Sequence, residues 1–199
     1  MIMKISSNFA GLVVGMAAFA SAGDAKAQPF HHEFGELREY HLHWLAVCPD
    51  RFVPDSTSDY ERQCWASTFS GINGNFSGDF PGNRLTVGRD RQNGKIKITF
   101  VMVGEDMVDR SRRIGLTFSN GQQNHYTFGN GIITNGNVVN EFTFSNYEET
   151  LKVLEQMKAR SHMLINIPLK SGDALETQFS LMGLRRAIAF TEKYAKPEN

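Results

Sequence analysis

"EYHLHWLAVC", Glu39 to Cys48, is the stretch whose reading decides the fold. Apolar and polar residues alternate through it, which is the period of a half-buried strand. Read as one strand from Arg38, it puts Tyr40, Leu42, Trp44, Ala46 and Cys48 on one face. His41, His43, Leu45 and Val47 fall on the other. Trp44 on the Cys48 face suggests a tryptophan packed beside a sulfur, a common core arrangement in β-sandwiches. The opposite face raises a different possibility. His31, His32, His41 and His43 crowd into this region, and the chain has 6 histidines altogether. Two imidazoles on one strand face can share a metal ion, zinc or copper, with His31, His32 or Glu33 completing the shell. The competing reading is a solvent-facing surface on which histidines are polar fillers.

Working outward toward the N-terminus, the chain opens with a short charged start, Lys4, and an apolar run from Phe9 to Ala22. That run is shorter than the roughly 20 residues a bilayer span needs. Small residues follow at Ala20-Ser21-Ala22 and Ala25-Lys26-Ala27. The pattern predicts a cleavable secretory signal over 1–27, cut after Ala27, and bacterial export to the periplasm or beyond. An uncleaved anchor is the alternative. Residues 28–37 read as a flexible mature N-terminus and 38–199 as a single β-rich domain. The chain carries 21 basic and 21 acidic residues. Loss of the leader leaves it near neutral. Such a balance lacks the concentrated positive charge that nucleic acids or anionic membranes attract.

Working outward the other way, "CPDRFVPDSTSDYERQC" reads as a turn-rich excursion between Cys48 and Cys64, and "CWASTF" re-enters as a strand. The chain has 2 cysteines, and the export signal sends them to an oxidising compartment. A Cys48–Cys64 disulfide is the expected state, pinning the two strands together. A zinc site would have to recruit histidines to both sulfurs. Trp65 lies beside Cys64, and core packing is expected of it as of Trp44.

Beyond "GINGNFSGDFPGN", a loop by composition, "KIKITFVMV" alternates most clearly. Ile96, Ile98, Phe100 and Met102 point inward, and Lys95, Lys97 and Thr99 point to solvent. Asn120-Gly121, Asn130-Gly131 and Asn135-Gly136 are hairpin signals. Ser145 and Glu148 have capping-box spacing, which predicts a helix over 146–160. "MLINIPL" and "LETQFSL" read as two strands joined at Ser171-Gly172-Asp173. Pro168 places the first of them at an edge or a bulge. "GLRRAIAFTEKYAK" again has helical period. The fold class expected is mainly β, a single-domain β-sandwich or open barrel with two appended α-helices.

No catalytic constellation stands out. There is no G-x-S-x-G elbow, and paired cysteines offer no thiolate. Glu105, Asp106 and Asp109 beside Arg110, Arg112 and Arg113 read as a charge-compensated loop. An unrecognised hydrolase site is the remaining enzymatic alternative.

One resemblance gathers these features. An export signal precedes a strand whose tryptophan leads to a cysteine. A short excursion, a second cysteine and alternating strands come next. An Asn-Gly-rich turn, a helix and two strands then lead into "FSLMGLRRAIAF", Phe179–Phe190. This order resembles the invasion-associated locus B family of bacterial exported proteins. Its serine-leucine-x-glycine step falls on Ser180, Leu181, Met182, Gly183 and Leu184. The family's usual second cysteine pair is absent, with Asn137 standing in that region. The resemblance implies an exported β-rich protein with a host-interaction or envelope role. It implies no enzymatic reaction and brings no catalytic residues to carry over, so the expectation is a protein that binds an envelope or host-surface component without catalysis or cofactor. A periplasmic metal-binding protein built on the histidine cluster is the alternative. Non-reducing intact-mass measurement of periplasmic material is expected to show a chain starting at Gln28 with both thiols oxidised. A retained leader or two free thiols would overturn that expectation.

Overall fold

The computed structural model describes residues 28–70, 82–103, 107–134 and 140–195. The expected leader, most of the glycine-rich loop, Glu105, Asp106, Asn135-Gly136 and Asn137 lie outside the described residues. The strands are β1 (Phe30–His32), β2 (Glu36–His41), β3 (Trp44–Pro49), β4 (Gln63–Phe69), β5 (Arg84–Asp90), β6 (Ile96–Val101), β7 (Ile114–Phe118), β8 (Gln123–Phe128), β9 (Gly131–Thr134), β10 (Glu141–Phe144), β11 (His162–Pro168) and β12 (Ala174–Ser180). The helices are α1 (Asp59–Arg62), α2 (Tyr147–Lys158) and α3 (Leu184–Tyr194). All strands join one 12-stranded ladder in the order β1-β2-β3-β4-β5-β6-β10-β9-β8-β7-β11-β12.

The ladder folds over on itself as an open sandwich. Phe100 of β6 meets Phe179 of β12 edge to face at 5.7 Å. The Trp44 indole N–H of β3 donates to the Ser180 carbonyl at 3.0 Å. Phe100, Phe118, Phe142, Phe179, Ile98, Leu116 and Met163 fill the interior between the two halves. α3 lays Leu184, Ala187, Ile188 and Phe190 against β2, β3 and β4, and α2 lays Val153, Leu154 and Met157 into the same core. The expected architecture is therefore present, with the short α1 added. Among the described residues no helix is long and apolar enough to cross a membrane.

"EYHLHWLAVC" departs from its single-strand reading. It is a hairpin: Leu42 and His43 form a two-residue turn, and His41 pairs with Trp44. A two-residue turn makes positions three apart direct partners, so they share a face. His41 therefore lies on the Trp44 face, and the expected split of the two is reversed. Nothing in Leu42-His43 advertises a turn, because tight hairpins favour asparagine and glycine. Leu42 nevertheless takes φ 54°, a conformation that is costly for a bulky side chain. Tertiary contact holds it there. Gly183, at φ 97°, lies so close that a Cβ on it would fall 1.9 Å from the His41 carbonyl oxygen.

Four smaller expectations also shift. Residues 28–37 are not a loose tail: β1 pairs with β2 from Phe30↔Arg38 to His32↔Glu36. Asn120-Gly121 makes the β7–β8 hairpin, with Gly121 at φ 82°, whereas Asn130-Gly131 passes the chain from β8 onto β9, which run parallel. The α2 cap is Asn146, whose side chain accepts from the Glu148 and Glu149 amides at 2.8 and 3.4 Å. Ser145 instead accepts from the Gly131 amide. β11 is interior, between β7 and β12; Pro168 is tolerated because it ends the strand, beyond the Asn166↔Gly115 pair that closes the β7 register.

Gly183→Ala is expected to destabilise the protein by at least about 2 kcal/mol, since it combines strained backbone with a clash against main chain. Urea unfolding of the two proteins checks this. An unchanged midpoint would remove the docking contact as a source of stability.

Candidate functional site

The outward face of β4, β5, β6 and β10 carries the site. Cross-strand register sets its floor in rows. Ser67, Thr86 and Thr99 form one row, and Trp65, Gly88 and Lys97 the next. Arg84 and Glu141 both sit opposite Val101 in a third. Ser67 and Thr86 share a hydrogen bond of 2.9 Å. Gln63 folds across Gly88; its amide oxygen lies 2.2 Å from where a Cβ would stand, so only glycine lets the Gln63 side chain lie there.

The excursion between the cysteines supplies the wall. Cys48 and Cys64 are bonded, with Cα atoms 4.3 Å apart. They continue the register of Val47↔Trp65, so the staple joins directly opposed residues of β3 and β4 and closes the base of the excursion. Its tip is tied down elsewhere. The Tyr60 hydroxyl donates to Glu36 Oε1 at 2.5 Å, and the buried Glu36 carboxylate also pairs with Arg38. Lys97 Nζ meets Asp59 Oδ2 at 2.8 Å. The Val53 amide donates to the Glu61 carbonyl at 3.1 Å. The hydrogen bond to Glu36, with burial adding to it, pushes the Tyr60 phenol up to about 12. Tyr60 therefore stays a donor throughout the physiological range.

Between wall and floor lies a groove of about 430 Å³, lined by Tyr60, Gln63, Trp65, Ser67, Arg84, Thr86, Gly88, Thr99, Glu141 and the Thr57–Asp59 turn. That volume is in the range of small-molecule sites, which run roughly 300–1,000 Å³. The lining is mostly polar. Its aromatic part is Trp65, half-buried, with the Tyr60 ring tilted against it at 5.2 Å. By contrast, the void inside the sandwich is about 30 Å³ and apolar, one water's worth of space rather than a ligand site.

Trp65 thus corrects its core assignment. Trp44 is fully buried as expected, on the Cys48 face. Trp65 shares no face with Cys64, because neighbours on a strand point oppositely; it opens to the groove. The signal was present in the alternation Cys64, Ala66, Thr68 against Gln63, Trp65, Ser67, since the second set is the more polar.

The histidines fall in separate surroundings. His31 lies 3.4 Å from Asp50. His32 accepts from the Phe34 amide and packs on its ring. His43 Nδ1 bonds Ser180 Oγ at 2.5 Å. His41 is turned inward toward Phe190 of α3, its nearest carboxylate Glu39 at 3.7 Å. The hairpin removes the shared strand face on which a His41–His43 metal pair was built. Among the described residues no three of His, Cys, Asp and Glu gather as a metal site would require. Asp109 holds the Ser111 amide and hydroxyl in a local turn, in keeping with a loop role for that connector.

The chain matches no family model and no curated protein sequence. Among solved structures it is similar to the crystal structure of invasion associated protein B from Bartonella henselae, with a TM-score of 0.50 and 14% identity. The match covers 78% of this chain and 99% of that one. At that identity the likeness is one of fold.

Burial is the larger influence on His41 and pulls its pKa below 6.5; Glu39 opposes it and Arg186 reinforces it. The folded state therefore favours neutral imidazole. Stability from this site is present above the unfolded value and is lost as pH falls through the lower folded one. The unfolding midpoint is expected to decline as pH drops below about 6.5, and His41→Phe is expected to flatten that decline. An equally steep decline in the variant would assign it to other groups.

Proposed function

We propose that this chain is an exported bacterial envelope protein that acts by binding and not by catalysis, in the manner of invasion-associated proteins, with the groove beside Trp65 as its contact site. The observation that carries the reading is the groove itself: an indole, a tyrosine and a hydroxyl row on a rigid sheet, walled by a disulfide-closed excursion. Rigid elements hold such a surface ready, which lowers the ordering cost of binding. Export is supported by the leader pattern in 1–27 and by the use of both cysteines in one bond, which is characteristic of oxidising compartments. The fold likeness to invasion associated protein B supports an envelope or host-surface setting.

The test is retention of purified mature protein on bacterial envelope fractions and on host cells. The expected outcome is saturable retention on one of them, reduced at least ten-fold by Trp65→Ala and by Arg84→Glu, while His31→Ala, outside the groove lining, leaves it unchanged. Retention that survives both groove substitutions would move the contact site elsewhere on the molecule.

A further inference from the structure

The groove's chemistry is specific enough to indicate a ligand class. We propose that it is a carbohydrate site that takes a few pyranose units of a neutral glycan; this rests on reading the groove as the contact site.

A pyranose is amphipathic in a particular way. One face of its ring presents C–H bonds, and its rim presents hydroxyls that both donate and accept. The groove offers the complement of each. Trp65 sits on the open face of the sheet with Gly88 directly opposite it. Gly88 has no side chain of its own, and the Gln63 amide lies across it beside the indole; the Tyr60 ring is set at 48° to Trp65. The two rings form an apolar corner against which a ring face can lie. Beside this corner runs the row Ser67–Thr86–Thr99. Each hydroxyl has one proton and two lone pairs. The Ser67–Thr86 bond uses a single proton, so the pair keeps a donor and acceptors for a ligand. The amide of Gln63 adds both kinds of group at one end, and Arg84 and Glu141 add both signs of charge at the other.

Charge decides against the main rival ligands. Asp59 engages Lys97 at 2.8 Å and Arg62 at 3.3 Å, so the wall's charges are mutually compensated. Arg84 and Glu141 balance across β6. No single-sign field concentrates here, whereas a phosphate or nucleic-acid site is built on one. A purely apolar ligand would leave the hydroxyl row unmatched. A ligand with hydroxyls around a C–H face satisfies floor, corner and ends together.

The test uses the protein's own reporter. The chain has 2 tryptophans and Trp44 is fully buried, so a change in emission on titration reports Trp65. Probes are the β-1,4 trimers of glucose and of N-acetylglucosamine and the α-1,4 trimer of glucose. Trialanine and inorganic phosphate form the comparison arm. At least one trimer is expected to change the emission saturably. Calorimetry is expected to show its affinity falling at least ten-fold in Ser67→Ala/Thr86→Val, and in Trp65→Ala, with near-ultraviolet dichroism confirming that the variants fold. Sugar binding indifferent to these substitutions overturns the assignment. A response to trialanine or phosphate with none to any sugar also overturns it, yet leaves the groove standing as the contact site. Silence from every probe overturns it too, and the retention experiment then judges the groove on its own.

Discussion

One close backbone approach organises the rest. The carbonyl of His41, at the tip of the β2–β3 hairpin, lies where a side chain on Gly183 would have to stand. Two bonds flank that contact: the Trp44 indole to the Ser180 carbonyl and His43 to the Ser180 hydroxyl. Together they join the third strand of the ladder to its last. A long twisted sheet has no reason of its own to return to its beginning. Here the end of β12 and the start of α3 seize the hairpin tip and fold the ladder over a shared core. α3 then continues directly from the glycine and covers the inner face of β2, β3 and β4. Burying large side chains such as Trp44 and Phe179 depends on this closure, each worth roughly 1.5–3 kcal/mol when fully removed from water.

The disulfide sits on the core face of the same strands, beside Trp44. β3 turns its inner face to the closed core and its partner β4 turns its outer face to the groove. The Cys48–Cys64 bond lies between them. It closes the excursion at its base, while Tyr60 on Glu36 and Asp59 on Lys97 fasten its tip. In the chain-entropy account a loop of this length gives about 3 kcal/mol of stability. Its structural consequence is to turn a turn-rich segment without core residues into a fixed wall. α1 buries none of its own side chains; polar anchors hold it in place.

Much of this was legible in the residues, and the reasons are local. Alternation in "KIKITFVMV" marked the inward row Ile98, Phe100 and Met102, all buried. Period three and four marked α2 and α3 to within a few residues. With 2 cysteines in the chain, each has one possible intramolecular partner. The candidate site was less legible. Trp65 drew a core assignment from its sulfur neighbour, although strand geometry sets adjacent side chains on opposite faces. Gln63, Ser67, Arg84, Thr86, Thr99 and Glu141 carry no motif. Their meeting depends on the register of four strands, which is a long-range quantity.

The sequence by itself determined the element types, the inward rows and the sulfur pairing, because each follows from neighbours a few positions apart or from a count of two. It did not determine where "EYHLHWLAVC" reverses. Leu42-His43 has no intrinsic preference for a tight turn, and Leu42 adopts positive φ under the hold of a glycine far along the chain. That single reversal changes the parity of every residue before it. It brings His41 inside and dissolves the apparent histidine cluster. Only the tertiary structure decides this, because the contact that selects the turn joins residues separated by most of the domain.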